Sequence, residues 1–239
     1  MKTNMKFDAI FIDVDDTILD FTKCSHIAIK RCFSDFNYSI GKQFDAFFTQ
    51  FMTLNSQLWQ KVELGFLEKS QLHNTRFNLA FSQFGICGLD GIEFEKRYRV
   101  HLATTHEIVS GAPQLLEYLS SRYPLFIASN APHEQQIVRL TRANLIQYFT
   151  DIYTSELLNS EKPKREFFEI SIKLASDKLG FNLLPSRIAM IGDSLSADVV
   201  GSQNIGMTAI WFNIYNKSNH DGYNPDYEIK SLLDTMNVL

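Results

Sequence analysis

The sequence has no apolar run long enough to cross a membrane. It also contains few of the glycine and proline residues that are typical of fibrous or low-complexity chains. No uncharged apolar segment approaches the roughly 18 residues of a bilayer-spanning helix. Glycine (11) and proline (6) are scarce among the 239 residues, and internal repeats are missing. A formal net charge of −4 gives no electrostatic attraction to nucleic acid polymers or anionic membranes. We therefore expect a globular protein whose partner is neither a nucleic acid nor a membrane.

Cysteine is also scarce, and its pattern excludes a disulfide framework. Cys24, Cys32 and Cys87 are odd in number and lack metal-ligand spacing, so we interpret them as reduced thiols. The N-terminal stretch MKTNMKFDAIFIDVDD has no cleavage pattern of a secretory leader. The cysteine pattern predicts a cytoplasmic protein. We expect either a monomer or a homodimer.

Apolar segments that stop abruptly at polar residues recur along the chain. The first, Phe7 to Ile12, is interrupted only by Asp8 and ends at Asp13. Such runs are typical of strands buried in a parallel sheet. Segments of the same type cover residues 124–128, 187–191 and 207–212, with a weaker candidate at 151–154.

Helix-like stretches separate these strands from about residue 110 onward, at 114–121, 134–143, 164–179 and 196–204. The alternation predicts an α/β fold with a Rossmann-like, doubly wound parallel sheet as its core. Ligands of such sheets bind beyond the carboxyl ends of the strands. The polar residues that follow each apolar run are therefore the candidate site.

Residues 20–107 have a different character, rich in Phe and Gln, with apolar residues at helical spacing. The clearest helices are expected at 45–64, 68–84 and 90–105. We interpret this segment as a helical module inserted after the first strand. The core domain is then formed by residues 1–19 and 108–239.

Carboxylates are concentrated where the first strand ends, in Asp13-Val14-Asp15-Asp16-Thr17. If the chain stays extended, alternate side chains face the same way, so Asp13, Asp15 and Thr17 point into one site. Two carboxylates held close together repel each other and favour a cation or a shared proton. For an isolated pair of this kind, a solvated acidic loop with N-caps for the next helix would be the better explanation.

A second carboxylate pair favours the metal interpretation. Asp193 follows the strand at 187–191, and Asp198 lies in the first turn of the next helix. Together with Asp13 and Asp15, Asp193 makes a set of hard oxygen ligands suited to Mg²⁺ with several waters retained.

Hydrogen-bond donors complete the candidate site. Ser129 and Asn130 end another strand and could donate to phosphate oxygens, although a turn also explains this pair. Lys162 is the expected balancing cation, since Pro163 would fix the backbone beside it, and Lys164 is its nearby rival.

In this order and spacing, the four segments resemble the four motifs of the haloacid dehalogenase-like hydrolase superfamily. The motifs are DVDDT at 13–17, Ser129, Lys162 and GDSLSAD at 192–198, and the likeness spans residues 7–17 and about 110–212. The helical module at 20–107 falls where that superfamily places its type-1 cap. The phrases FIDVDDTILDF, SEKPKREFFE and IGDSLSADVVG are similar to the group of noncanonical pyrimidine 5′-nucleotidases.

The resemblance implies a Mg²⁺-dependent phosphomonoesterase that forms an aspartyl phosphate and acts on a small phosphorylated metabolite, a nucleoside 5′-monophosphate in the narrower group. It implies that Asp13 is the nucleophile and that Asp15 acts as acid and base. Ser129 and Lys162 would stabilise the phosphoryl oxygens. The metal ligands would be Asp13, the Asp15 carbonyl and Asp193, and Asp198 would act through a metal-bound water.

Three alternatives can be set beside this interpretation. A dehalogenase of the superfamily lacks the second aspartate, so Asp15 favours a phosphatase. A sugar-phosphate or phosphoglycolate phosphatase would share every motif. A receiver-type signalling domain is about half as long and carries its phosphorylated aspartate after the third strand. In the cap, Trp59 and Arg76 could contact a substrate, but packing in a helical bundle also explains them.

Overall fold

A computed structural model of the protein describes residues 6–219 and 222–239 and divides the chain into two compact units. The first unit, called the core, comprises the chain up to Asp20 together with Glu107–Leu239, and the second, called the cap, comprises Phe21–His106. None of the helices within the described ranges combines the length and the apolar character that a bilayer-spanning segment requires.

The core is built on a parallel sheet of six strands within the described residues, in the order β3-β2-β1-β4-β5-β6. Ile10 of the central strand pairs with Leu125 on one side and with Ala189 on the other. This sheet and the helices around it confirm the predicted fold class. The strands are β1 (Ala9–Ile12), β2 (Leu125–Ser129), β3 (Asp151–Thr154), β4 (Ile188–Gly192), β5 (Thr208–Phe212) and β6 (Tyr227–Ile229).

The cap is a helical unit with an aromatic interior. Phe94 lies at the centre of this interior, with its ring centroid 4.8 Å from that of Phe77 and 5.1 Å from that of Phe81. Asp90 caps the last helix, since its side chain accepts hydrogen bonds from two backbone N–H groups of the first turn. The helices are α1 (Phe21–Asp35), α2 (Phe44–Glu63), α3 (Lys69–Phe84) and α4 (Gly91–Thr104).

A buried ion pair lies inside the cap. The Arg76 guanidinium donates to both carboxylate oxygens of Glu95, at 2.7 and 2.8 Å, and to Oδ1 of Asn55 at 2.9 Å. His73 Nδ1 lies 3.3 Å from Glu95 Oε1, and the His73 ring packs edge-on against Trp59. Arg76 thus has partners within the cap, and Trp59 packs against another cap residue.

Helices cover both faces of the core sheet. Ile10 and Ile12 pack on one face with Leu115 and Leu140, while Phe11 packs on the other face with Phe168. Alternate residues of β1 are therefore buried on opposite sides, which explains its continuous apolar run. The helices are α5 (Ala112–Ser120), α6 (His133–Arg142), α7 (Ser155–Leu158), α8 (Arg165–Leu179), α9 (Gly201–Gln203) and α10 (Thr235–Val238), with a π-helical turn at Leu195–Val200.

The chain leaves and re-enters the core at neighbouring points. The Asp20 N–H donates to the Glu107 carbonyl at 2.8 Å, and the Val109 N–H donates to the Ile18 carbonyl at 3.1 Å. The two connections to the cap therefore start from residues that are hydrogen-bonded to each other.

Candidate active site

Lys162 lies at the centre of the polar cluster beyond the carboxyl ends of the strands. Its Nζ atom donates to Asp13 Oδ1 at 2.7 Å, to Asp198 Oδ1 at 2.6 Å and to the Ala128 carbonyl at 2.7 Å. Only 2% of Lys162 is exposed. The Lys164 side chain, in contrast, is 60% exposed, and its ammonium group pairs with Glu161. The structure therefore brings Lys162, and not Lys164, together with Asp13.

The absence of a side chain at Gly192 leaves space for the carboxylate of Asp198. A Cβ atom at Gly192 would lie 2.2 Å from Oδ2 of Asp198, so no other residue fits there without displacing that side chain. The same Oδ2 atom accepts a hydrogen bond from the Ser194 N–H at 3.0 Å. Asp198 itself sits in the π-helical turn that follows, a feature frequent at functional sites.

Burial and mutual charge shape the ionisation of this cluster. Burial raises the pKa of Asp13 well above its usual range, and the Lys162 ammonium opposes the shift. Burial likewise raises the pKa of Asp198, again opposed by Lys162. Burial would lower the pKa of Lys162, but the two carboxylates outweigh it and raise that pKa. The ammonium is thus held charged between Asp13 and Asp198.

The third carboxylate, Asp193, is held from β5 and the loop after it. The Trp211 indole N–H donates to the Asp193 carbonyl at 3.0 Å, and Lys217 Nζ lies 2.5 Å from Asp193 Oδ2. The Asn213 side chain accepts from the Lys217 N–H at 2.7 Å and donates to the Lys217 carbonyl at 3.1 Å. Asn213 thereby fixes the loop that presents the ammonium group.

The cluster fits a divalent cation with hard oxygen ligands. Asp13, Asp193 and Asp198 each offer a carboxylate oxygen, and these atoms lie within 4.8 Å of one another. When all three carboxylates are ionised, they exceed the ammonium groups of Lys162 and Lys217 by one negative charge. Oxygen ligands and excess negative charge suit Mg²⁺.

The loop after β1 departs from the expected extended chain. Asp16 has a left-handed backbone with φ of 56°, and the N–H groups of residues 17, 18 and 19 all turn back to the Val14 carbonyl. The prediction that Asp13, Asp15 and Thr17 alternate along an extended strand is therefore wrong. A tight turn satisfies these N–H groups, and an aspartate tolerates the left-handed conformation. Thr17 Oγ1 still lies 3.4 Å from Asp13 Oδ2.

Asp15 is held by two residues that the motifs do not include. Gln136 Nε2 donates to Asp15 Oδ2 at 2.8 Å and to Ser129 Oγ at 3.0 Å. Arg139 NH1 lies 2.5 Å from Asp15 Oδ1. Residues of α6 thus contact both carboxylate oxygens of Asp15, and one of these residues, Gln136, also contacts Ser129.

Asn130 is engaged with the lysine loop. Its Nδ2 group donates to the Lys162 carbonyl, and its Oδ1 atom accepts from the Lys162 N–H, both at 2.9 Å. The position of Asn130 at a strand end predicts a donor to phosphate. In the structure, both ends of the amide bind the backbone of Lys162. Asn130 therefore fixes the backbone position from which the Lys162 side chain extends.

Sequence reasoning missed Gln136, Arg139, Trp211 and Lys217. A signal existed for the first two, because Gln136 and Arg139 are polar residues three apart in a predicted helix, on the side shared by the buried Leu140. Trp211 appears in the sequence as one more apolar strand residue. Lys217 lies in a loop, and its position relative to Asp193 has no signature in the sequence.

Comparison with known proteins places the chain in a family. Residues 7–206 match haloacid dehalogenase-like hydrolases. The protein belongs to the haloacid dehalogenase-like hydrolase family. This confirms the family predicted from the four motifs, and the protein is therefore a hydrolase.

Particular relatives extend over almost the whole chain. Pyrimidine 5′-nucleotidase PynA of Streptococcus pneumoniae is 34% identical over 98% of this chain and 96% of its own length. Pyrimidine 5′-nucleotidase YjjG of Escherichia coli is 26% identical over 98% of this chain and 99% of its own length. The crystal structure of the HAD-hydrolase YfnB of Bacillus subtilis, bound to magnesium, covers 98% of this chain and 99% of its own, with a TM-score of 0.90 and 31% identity.

Proposed function

We propose that the protein is a Mg²⁺-dependent phosphomonoesterase that hydrolyses nucleoside 5′-monophosphates through an aspartyl phosphate. The observation that carries this proposal is the position of Asp13, whose Oδ1 atom lies 2.7 Å from Lys162 Nζ in a buried group of carboxylates. A carboxylate fixed by an ammonium group at a strand end is oriented for attack on phosphorus. Membership of the hydrolase family supports this role.

The first step belongs to Asp13. One of its carboxylate oxygens forms a bond to phosphorus while the bond from phosphorus to the ester oxygen breaks. The Lys162 ammonium, which is buried and therefore weakly screened by water, offsets the negative charge that accumulates. Ser129 Oγ, at the end of β2, donates to a phosphoryl oxygen.

Asp15 moves the proton in both steps. It gives a proton to the departing alkoxide, and it then takes one from the water that attacks phosphorus. The attack breaks the bond between phosphorus and Asp13, and Asp13 returns as a carboxylate. The products are the alcohol and inorganic phosphate, and Asp15 is again protonated.

The carboxylate cluster supplies the cation site. Asp13, Asp193 and the backbone carbonyl of Asp15 would hold Mg²⁺, with Asp198 acting through a water molecule. Bound Mg²⁺ supplies positive charge that lets a phosphate dianion approach an anionic nucleophile.

Pyrimidine nucleotides are the substrates we expect. PynA and YjjG, which match this chain over nearly its full length, are named pyrimidine 5′-nucleotidases. The expected location is the cytoplasm, whose reducing conditions suit the three free cysteines.

The test is a panel of phosphate-release assays on the metal-free protein with Mg²⁺ or Ca²⁺ added back. Turnover of nucleoside 5′-monophosphates with Mg²⁺, poor rescue by Ca²⁺ and acid-stable label on Asp13 would support the proposal. Turnover confined to sugar phosphates or phosphoglycolate would contradict the nucleotide assignment. A single equivalent of phosphate taken up without turnover would indicate a phospho-accepting switch, and equal rescue by both ions would contradict a site selective for Mg²⁺.

A further inference from the structure

Helix α6 carries two polar side chains that are completely buried. Gln136 and Arg139 each have 0% exposure, beside the equally buried Leu140. Burying an amide and a guanidinium is unfavourable unless their hydrogen bonds are satisfied, and arginine is seldom buried without a partner. Their position therefore calls for an explanation that packing alone does not give.

Both side chains contact the Asp15 carboxylate. Gln136 Nε2 donates to Asp15 Oδ2 at 2.8 Å, and Arg139 NH1 donates to Asp15 Oδ1 at 2.5 Å. The same NH1 group lies 3.2 Å from Gln136 Oε1, so the two side chains also hold each other. Each carboxylate oxygen of Asp15 has its own donor, and rotation of that carboxylate would break both contacts.

The same amide reaches the strand that carries Ser129. Gln136 Nε2 lies 3.0 Å from Ser129 Oγ, and the Ala131 N–H donates to that hydroxyl oxygen at 3.2 Å. Since α6 follows β2 after only a few residues, one short segment supplies both Ser129 and the contacts to Asp15. The spacing between Asp15 and Ser129 is thereby set by a single side chain.

We propose that Gln136 and Arg139 are positioning residues that hold the Asp15 carboxylate in one orientation and fix its distance from Ser129. The proposal rests on the roles proposed above for Asp15 and Ser129. Two separate segments, the loop after β1 and the end of β2, must act on the same phosphoryl group. A misplacement of about 1 Å in such a pair can lower a rate by about 100-fold, so a rigid link between them has catalytic value.

The experiment compares Gln136→Met and Arg139→Lys with the wild type and with Gln135→Met. Gln135 is the preceding residue of the same helix and is partly exposed. Leaving-group release is measured in single turnover with a nucleoside 5′-monophosphate and with p-nitrophenyl phosphate, whose leaving group needs no proton. We expect Gln136→Met to slow the nucleotide by about 10- to 100-fold and p-nitrophenyl phosphate by less than about threefold. The KM values and the Gln135→Met rates should be nearly unchanged.

Arg139→Lys tests the same link without removing the charge. A lysine keeps the charge, but its flexible ammonium group lacks the rigid planar geometry that places Arg139 NH1 between Asp15 Oδ1 and Gln136 Oε1. We expect the same selective loss as for Gln136→Met, but smaller. This variant also keeps the question open to measurement if Gln136→Met does not fold.

A double-mutant cycle with Asp15→Ala separates positioning from general damage. If Gln136 acts through Asp15, Gln136→Met adds nothing to the loss caused by Asp15→Ala. A further loss in that background, or equal losses for the two substrates, would overturn the proposal. If Asp15→Ala itself slows both substrates alike, the proposed role of Asp15 fails instead. A crystal structure of Gln136→Met then still decides whether the carboxylate has moved, and an unmoved Asp15 would refute the positioning role.

Discussion

The core and the cap bury charged groups in different ways. In the cap, Arg76 and Glu95 neutralise each other through two short hydrogen bonds, and Asn55 accepts a third from Arg76. In the core, the three carboxylates beyond the strand ends outnumber the two ammonium groups that pair with them among the described residues, those of Lys162 and Lys217. The first arrangement is electrically complete and organises packing, whereas the second keeps an excess charge that a cation can satisfy. Buried charge that is not fully balanced is therefore the better marker of chemistry in this molecule.

The largest effect is expected from removing the charge of the proposed nucleophile. Asp13→Asn should lower kcat on nucleotides by at least about 1,000-fold, or about 4 kcal/mol in the barrier, since the nearly isosteric amide cannot attack phosphorus. The free energy of unfolding should not fall, because one member of a crowded carboxylate cluster becomes neutral. Asp177→Asn, at an exposed position of α8, is the control. Activity within tenfold of the wild type would refute the assignment of Asp13.

A second test contrasts the two neighbouring lysines of the core. Lys162→Met removes the ammonium between Asp13 and Asp198, so kcat should fall by about 100-fold or more. Lys164→Met removes an exposed ammonium that pairs only modestly with Glu161, and kcat should stay within about twofold. The measurement is the steady-state rate of both variants. Similar losses of kcat in both would contradict the assignment of Lys162 as the lysine that acts with Asp13.

The cap should respond in stability when its ion pair is broken. Arg76→Met removes the buried, bidentate charge partner of Glu95, and unfolding in urea should show a loss of about 3–5 kcal/mol. The double variant Arg76→Met/Glu95→Leu should recover most of this loss, because an apolar pair of similar volume replaces the ions. Arg97→Met, at a half-exposed arginine of α4, is the control. A loss below about 1 kcal/mol in the single variant would show that the pair is not needed.

The smallest effect is a pH dependence of cap stability. Burial lowers the pKa of His73, with the Glu95 hydrogen bond opposing the shift. Burial would raise the pKa of Glu95, but the contacts with His73 and Arg76 outweigh it and lower that pKa. The unfolded chain therefore binds protons that the folded cap does not, first near the ordinary pKa of histidine at about 6.5 and then near that of glutamate at about 4.3.

Stability should accordingly be complete above about pH 6.5 and decline as the pH falls below it. The measurement is the free energy of unfolding of the wild type and of His73→Gln between pH 7.5 and 5.5 in thermal or urea melts. The variant should show a flatter slope in this window, and identical slopes would contradict the assigned direction.

The sheet was predictable where strands are long and continuously apolar. β1, β2, β4 and β5 follow from their apolar runs, but β6 is only Tyr227–Ile229 and is too short for a periodicity. The three cap helices named from the sequence are found, yet α1 was not named. Its buried face combines Ile29 and Phe33 with four small residues, and these weaken the hydrophobic period: Cys24, Ser25, Ala28 and Cys32.

The candidate site was predictable to the extent that it lies at strand ends. Asp13, Lys162 and Asp198 come together because parallel strands deliver their carboxyl ends to one edge. The contacts of Gln136 with Asp15 depend on the rotation of α6, and those of Lys217 with Asp193 depend on the path of a loop. Neither quantity is encoded in local spacing, since both are decided by tertiary packing.

The hydrogen bond between the Asp20 N–H and the Glu107 carbonyl has a consequence for the history of such chains. Because the two ends of the intervening segment meet at adjacent residues, the core presents to any inserted sequence the geometry of an ordinary hairpin. The entropic cost of closing a loop grows slowly with its length, so bridging the gap with 86 residues instead of a handful adds only about 2.5 kcal/mol. The whole segment Phe21–His106 could therefore be replaced by another inserted sequence during evolution, while the residues of the core site stay in place.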